Sequence, residues 1–180
     1  MSKRWIFSPP NKSLQSEIAS KLKISHLLAQ VLINRGIIDI TSAKNFLQPQ
    51  IAALGDPSLL PDIEKASIRI NEAVRRGEKI VIYGDYDVDG LSATALMYRC
   101  LKLLGAQVSY YIPERLEEGY GLNTDAIKKR KEGGADVILT VDCGINACRE
   151  ADVARSFGID LIITDHHQPG QEIPNAFAVV

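Results

Sequence analysis

From residue 79 onward, the chain alternates short apolar segments with longer amphipathic ones. The short segments are rich in β-branched residues, as buried strands are, and they read KIVIY (79–83), QVSYYI (107–112), DVILTV (136–141), DLIIT (160–164) and AFAVV (176–180). A helical pattern at 62–77 precedes the first of these strands, and further helical patterns cover 91–105, 123–134 and 146–158. Strands separated by helices of this length form parallel sheets that are covered on both faces. The pattern therefore predicts an α/β fold with a mostly parallel sheet and helices on both faces.

The first sixty residues predict a small helical segment of their own. Ser25 is a good helix N-cap and Gly36 a good stop, and a second short helix begins at Thr41. A turn-rich stretch then leads into the alternating pattern. We therefore expect two parts, a helical N-terminal segment at 1–60 and an α/β core at 61–180.

Composition excludes several classes of protein. Hydrophobic residues make up 46% of the chain and charged residues 24%, which is ordinary for a soluble globular protein. The net charge of −1 is unlike that of a strongly basic, non-specific nucleic-acid binder. No apolar run has the length of a membrane span, and the N-terminus lacks the apolar stretch of a secretory signal. We expect a cytoplasmic protein without membrane association.

The cysteine count agrees with a reducing compartment. Three cysteines, an odd number, argue against a disulfide framework. Cys143 and Cys148 have no second pair of cysteines with which to bind zinc. We therefore expect small buried thiols.

The most unusual segment is GDYDVDG at 84–90, which places Asp85, Asp87 and Asp89 at alternate positions. Three carboxylates this close together repel one another unless a cation lies between them. The segment also matches the start of an EF-hand loop, but that loop requires a Glu at its twelfth position and helices on both sides. Leu96 occupies the twelfth position, and a strand precedes the motif. The segment is therefore unlike an EF-hand, and a structural acidic turn and a cation site of another kind both stay open at this point.

Further polar side chains follow the later strands directly. Asp142 follows the third strand, and Asp165, His166 and His167 follow the fourth. Taken singly, each is typical of a turn or a helix cap. In a parallel sheet, however, the carboxyl ends of all strands meet at one edge, where open α/β sheets bind their ligands. Mixed carboxylate and imidazole donors favour Mn²⁺ or Mg²⁺ over zinc or cobalt.

The motifs GDYDVDG, VDCG and DHH, in this order and spacing, resemble the first three motifs of the DHH phosphoesterase superfamily. Within it, IPERLEEGYGLN (112–123), LLAQVLINRGI (27–37) and AKNFLQP (43–49) resemble RecJ-type single-strand-specific exonucleases. The resemblance implies a metal-dependent phosphodiesterase that uses Mn²⁺ or Mg²⁺. It further implies 5′-to-3′ degradation of single-stranded DNA in DNA repair and recombination, with single-strand-binding protein as a partner.

The resemblance also assigns roles to residues. The metal ligands would be Asp87, Asp89, Asp142 and His166. The catalytic residues would be His167, beside the scissile phosphate, and Asp85. The substrate contacts would come from Arg115, Tyr120 and Gly121, and from Gly90 at the start of a helix whose N-terminus faces the phosphate.

Two features depart from the family pattern. Members with a full two-metal site often have a histidine where Tyr83 stands. The family core also continues past the third motif with another ligand Asp, and RecJ adds a DNA-binding domain, whereas this sequence stops at Val180. We therefore expect a core that is incomplete at its C-terminus and that is weakly active or inactive by itself.

Three other functions stay open at this point. A DHH enzyme could cleave short oligonucleotides, cyclic dinucleotides or pyrophosphate. A phosphatase of the haloacid-dehalogenase type also has a D-x-D motif after a strand, although the histidine pair fits it poorly. A fragment that lost the chemistry could act as a binding module.

Overall fold

The computed structural model describes residues 4, 8–114 and 121–180. Contacts divide the chain into two compact units, Met1–Asp56 and Pro57–Val180. The first unit contains α1 (Lys12–Leu22), α2 (His26–Asn34), α3 (Ile40–Leu47) and a 3₁₀ turn at Ile51–Ala53. Ser25 caps α2, as the sequence predicts, because its side chain accepts a hydrogen bond from the backbone N–H of Leu28 at 3.1 Å.

Helix α1 has no specific prediction from the sequence. It is mostly polar, and only Ile18 and Ala19 in it are buried. These two residues pack with Ala29, Leu32 and Ala43 of the other helices to form a small core. Leu14 and Leu22, one turn before and after Ile18, also pack against this core, so the helix is stabilised by burying one narrow apolar face.

The second unit holds the predicted α/β fold. Its elements are a 3₁₀ turn at Pro57–Leu59, α4 (Ile63–Arg76), β1 (Lys79–Tyr83), α5 (Val88–Leu103), β2 (Gln107–Tyr111), α6 (Thr124–Glu132), β3 (Val137–Thr140), α7 (Cys148–Ser156), β4 (Asp160–Ile163) and β5 (Ala178–Val179). Among the described residues the strands form one sheet in the order β2-β1-β3-β4-β5, and every pairing is parallel. The α/β fold predicted from the sequence is confirmed.

Helices cover both faces of this sheet. Ile80 and Ile82 of β1 pack in one core with α4 and α5, whereas Val81 and Tyr83 pack in the other with α6 and α7. The chain leaves β1 toward β2 on one side and continues through β3 and β4 on the other. Such a reversal opens a crevice at the carboxyl ends of the two central strands. The acidic segments that follow β1 and β3 lie at this crevice.

Two further expectations concern cysteines and membranes. Cys143 is buried as predicted, but Cys100 is exposed because Leu101, its neighbour on α5, is the residue that faces the sheet. All three cysteines are free. In the described part of the chain, none of the helices combines the length and the apolar character that a bilayer crossing requires.

Candidate metal centre

The loop after β1 brings two carboxylates to the edge of the sheet. Asp87 is the N-cap of α5, and its side chain accepts a hydrogen bond from the backbone N–H of Gly90 at 3.0 Å. The cap starts the helix at Val88, three residues before the apolar pattern predicts. Asp85 lies beneath this turn and is almost completely buried.

Gly90 makes this arrangement possible by its lack of a side chain. A Cβ at this position would lie 2.6 Å from both the Cβ and the carbonyl oxygen of Asp85. The first turn of α5 therefore packs directly on the backbone of the acidic loop. Gly90 itself is buried, and its predicted contact with substrate stays a prediction.

The loop after β3 holds Asp142 in an unusual backbone conformation. Asp142 has φ of 63°, in the left-handed region that few residues other than glycine adopt. Its backbone N–H donates to the carbonyl of Thr164 at 3.0 Å. The buried hydroxyl of Thr140 donates to the carbonyl of Cys143 at 2.7 Å and accepts from the N–H of Thr164 at 3.2 Å. These bonds fasten the loop to the end of β4 and set the position of the Asp142 carboxylate.

The loop after β4 carries the histidine pair. The buried side chain of Asp165 accepts hydrogen bonds from the backbone N–H groups of Ile145, His166 and His167 at 2.9, 2.8 and 3.1 Å. It also lies 2.7 Å from Nδ1 of His167. Nε2 of His166 lies 2.9 Å from Oδ1 of Asp142. This contact joins the loop after β4 to the loop after β3.

These side chains form two candidate ligand groups that share one member. Asp85, Asp87 and Asp142 form the first group, and Asp142, His166 and His167 form the second. Within each group, one ligand atom per residue lies within 4.8 Å of the others. Asp142 belongs to both groups, as expected for a carboxylate between two cations.

The residues fit a divalent cation on two grounds. Oδ1 of Asp85 is buried and has no hydrogen-bond partner among the residues that the structure describes. A buried carboxylate oxygen in this state is costly unless a cation neutralises it. The oxygen-rich donor set with imidazole suits Mn²⁺ or Mg²⁺. None of the ligand groups among the described residues contains a cysteine.

The pKa shifts at the centre have identifiable causes. Burial, with the charge of Asp87, raises the pKa of Asp142, although His166 opposes this shift. The hydrogen bond from the N–H of Gly90 is the largest influence lowering the pKa of Asp87. The two carboxylates are thus shifted in opposite directions, because Asp142 is the more buried and Asp87 accepts the hydrogen bond of the helix cap.

In the loop after β4, the pKa values of Asp165 and His167 are shifted in opposite directions by their contact. The hydrogen bond with Asp165 is the largest cause of the raised pKa of His167. Burial by itself would raise the pKa of Asp165, but the hydrogen bonds from Ile145 and His167 outweigh it and the pKa is lowered. Asp165 was not among the predicted site residues. Its position directly after the fourth strand singled it out in the sequence, but its role becomes visible only from its hydrogen bonds to the histidine loop.

The remaining predicted site residues are a further metal ligand and the substrate contacts. Asp89 is exposed in the first turn of α5 and lines a cavity of about 590 Å³ with Asp142 and His166, but it is in neither ligand group. Its role as a metal ligand stays a prediction. Arg115 and Tyr120 lie outside the described residues. Gly121 is left-handed, with φ of 84°, and its carbonyl accepts a hydrogen bond from the buried hydroxyl of Tyr83 at 3.1 Å.

Residues 79–180, more than half of the chain, match the model of the DHH family, N-terminal domain. The chain belongs to the DHH family. The matched range begins at β1 and includes every candidate ligand.

Known proteins of similar sequence and structure agree with this assignment. The single-stranded-DNA-specific exonuclease RecJ of Bacillus subtilis is 44% identical over 177 residues, which are 98% of this chain and 22% of that protein. A crystal structure of exonuclease RecJ bound to manganese is 44% identical, with a TM-score of 0.60 over 65% of this chain and 30% of the other. RecJ of Thermus thermophilus in complex with Mn²⁺ is 32% identical, with a TM-score of 0.67 over 96% of this chain and 24% of the other. The chain thus spans about a fifth of the length of its Bacillus relative.

Proposed function

We propose that this chain carries the metal centre of a RecJ-type exonuclease, which hydrolyses single-stranded DNA from its 5′ end with Mn²⁺ or Mg²⁺. The observation that carries the proposal is the position of Asp142 in both ligand groups. The sequence similarity to single-stranded-DNA-specific exonucleases supports the substrate class.

Each residue of the centre has a distinct task in this proposal. Asp85, Asp87 and Asp142 would hold one cation, and Asp142 with His166 would hold another. A bound divalent ion would lower the pKa of a coordinated water and offset the charge of the phosphate. His167, whose pKa is raised by Asp165, is positively charged over a wider pH range than an ordinary histidine. It can therefore donate a proton or a hydrogen bond to a phosphate oxygen.

The cellular context belongs to the same proposal. We place the protein in the cytoplasm, in DNA repair and recombination, with single-stranded DNA as substrate and single-strand-binding protein as partner. The three free cysteines agree with a reducing compartment.

Calorimetric titration with manganese tests the centre. The unmodified chain should bind the metal, and Asp142→Ala should lose binding, because both ligand groups lose their shared carboxylate. Asp152→Ala is the matched control, since Asp152 is an exposed acid on α7 whose partner is Arg155. Unchanged manganese affinity in Asp142→Ala would remove this residue from the centre.

Nuclease assays test the substrate. Because the core is expected to be incomplete, the chain should cleave slowly, but with manganese its activity should favour a 5′-labelled single strand over the matching duplex. Asp142→Ala should remove this residual activity. Equal cleavage of the duplex would contradict single-strand specificity. Preference for a dinucleotide or a cyclic dinucleotide would instead assign the chain to the small-substrate enzymes of the family.

A further inference from the structure

Asp142 is held in a backbone conformation that is unfavourable by itself. Its φ of 63° lies in the left-handed region, where the Cβ of a residue other than glycine is crowded by the backbone. Strain of this kind persists only where surrounding contacts impose it, and it is common at functional sites. Asp142 also belongs to both candidate ligand groups. The contacts that impose the left-handed conformation therefore act on the metal centre.

The hydroxyl of Thr140 closes this left-handed turn. It donates to the carbonyl of Cys143 at 2.7 Å and accepts from the backbone N–H of Thr164 at 3.2 Å. Thr140 and Cys143 are both completely buried, so water does not compete for the bond between them. In the reverse direction, the hydroxyl of Thr164 donates to the carbonyl of Thr140 at 2.6 Å. The two threonines thus fasten the turn to the end of β4 through a reciprocal pair of hydroxyls.

The left-handed turn places the Asp142 carboxylate between the two ligand groups. On one side, Oδ1 lies 2.9 Å from Nε2 of His166. On the other side, a ligand oxygen of Asp87 lies within 4.8 Å of one of Asp142. A right-handed backbone at residue 142 would point its Cβ in another direction and move the carboxylate away from at least one of the groups.

We infer that Thr140 is a positioning residue of the metal centre, with Thr164 as its partner, and that its hydroxyl maintains the turn that lets one carboxylate serve two cations. This role rests on the proposed function and deepens it. The hydroxyl can be removed almost without a change of shape. Valine has the shape of threonine but no hydroxyl, whereas serine keeps the hydroxyl and lacks only a methyl group.

Electron paramagnetic resonance at saturating manganese tests this role, because two manganese ions that share a carboxylate are spin-coupled. The unmodified chain and Thr140→Ser should both show the coupled signal. Thr140→Val should lose it, since Asp142 no longer reaches both ions, and calorimetry should show manganese binding weakened about tenfold. A merely structural threonine would lower the stability measured by urea unfolding and leave the coupling intact.

Thr94→Val is the matched control, because Thr94 is buried in α5 and its hydroxyl has no hydrogen-bond partner among the residues that the structure describes. It should leave the coupled signal and the manganese affinity unchanged. A coupled signal in Thr140→Val would overturn the inference and leave the proposed function standing. Absence of coupling in the unmodified chain would count against the shared carboxylate of the proposed function and overturn the inference with it.

Thr164→Val decides the question if Thr140→Val does not fold. Thr164 is only half-buried, and the substitution removes the other hydroxyl of the pair. It should reduce the coupled signal and weaken manganese binding about threefold. An unchanged signal together with unchanged affinity would overturn the inference.

Discussion

Asp165 organises the histidine pair although it belongs to neither candidate ligand group. Its Oδ1 accepts hydrogen bonds from two consecutive backbone N–H groups and lies 2.7 Å from Nδ1 of His167. The carboxylate therefore sets both the direction and the charge of the His167 ring. By orienting His167 and favouring its charged form, Asp165 can influence a metal or phosphate site without being a ligand itself.

Asp165→Asn should lower the pKa of His167, because the amide carries no charge. The amide oxygen can replace Oδ1 as acceptor for the N–H groups of His166 and His167, while the hydrogen bond from the N–H of Ile145 to Oδ2 is lost. A raised pKa in the folded state stabilises the chain below the ordinary histidine value of about 6.5, and this stabilisation is lost as pH rises through the raised value. The variant should lose this part of the pH dependence. NMR titration of the histidine rings and urea unfolding at several pH values, both without metal, measure the two effects. An unchanged His167 titration would show that Asp165 does not control it.

Tyr83 stands where the family resemblance leads us to expect a histidine ligand. Its side chain is completely buried, and its hydroxyl donates to the carbonyl of Gly121 at 3.1 Å. The ring also packs edge-on against Tyr111, with the ring centroids 5.1 Å apart. Tyr83 is thus engaged in the core, and the group of Asp85, Asp87 and Asp142 relies on carboxylates.

Without nucleotide, we therefore expect close to one tightly bound manganese per chain. Tyr83→His should raise the affinity for a second ion by adding an imidazole, whereas Tyr83→Phe, the matched control, should leave the count at one. Electron paramagnetic resonance of free and bound manganese gives the count. Two equally tight ions in the unmodified chain would show that residue 83 does not limit the second site.

Among the elements, α5 has the largest influence on the centre because its first turn is part of the site. Asp87 caps it, and Gly90 packs against the backbone of Asp85. Any change that moves the start of α5 also moves both carboxylates. Stability and metal binding are therefore coupled at this helix end.

Gly90→Ala should lower the free energy of unfolding by about 1–3 kcal/mol, as overpacking at a tight contact does, and should weaken manganese binding. The reason is the 2.6 Å approach of the new Cβ to backbone atoms of Asp85. Gly55→Ala is the control, since a Cβ there meets no atom within 4 Å. Chemical denaturation and manganese titration measure the two effects. Normal affinity in Gly90→Ala would show that the loop adapts without loss of the site.

At the scale of the whole molecule, the described residues form separate cores. The first unit has its own small apolar cluster, and the two clusters on either face of the sheet lie within Pro57–Val180. Every residue of the two ligand groups belongs to the second unit. Metal binding should therefore depend on the second unit alone.

A chain that begins at Pro57 should fold and bind manganese with nearly the affinity of the full 180 residues. Circular dichroism and calorimetry would measure folding and binding. The fragment with Asp142→Ala serves as the negative control. An unfolded fragment, or one that has lost its manganese affinity, would show that the first unit is needed to form the site.

The class of fold and the positions of the candidate ligands along the chain could be predicted from the amino-acid pattern alone. Strand β1 was predicted at its observed bounds, 79–83, because a short β-branched run between polar residues has few other conformations. The positions of Asp87, Asp142 and His166 after strands were likewise readable, since the carboxyl ends of parallel strands share an edge. The family resemblance, carried by three short motifs, agrees with the matched range.

Only the tertiary structure decided which of these side chains meet. The strand order places β1 next to β3, and this neighbourhood brings Asp85 and Asp87 to Asp142. Sequence spacing made Asp85, Asp87 and Asp89 look equivalent, but the cap at Asp87 and the packing of Gly90 start the helix between them and turn Asp89 out of both groups. The left-handed conformation of Asp142 depends on a hydrogen bond to Thr164, which is distant in the sequence. A local sequence pattern cannot predict such hydrogen bonds, because they form only when the strands are assembled into the sheet.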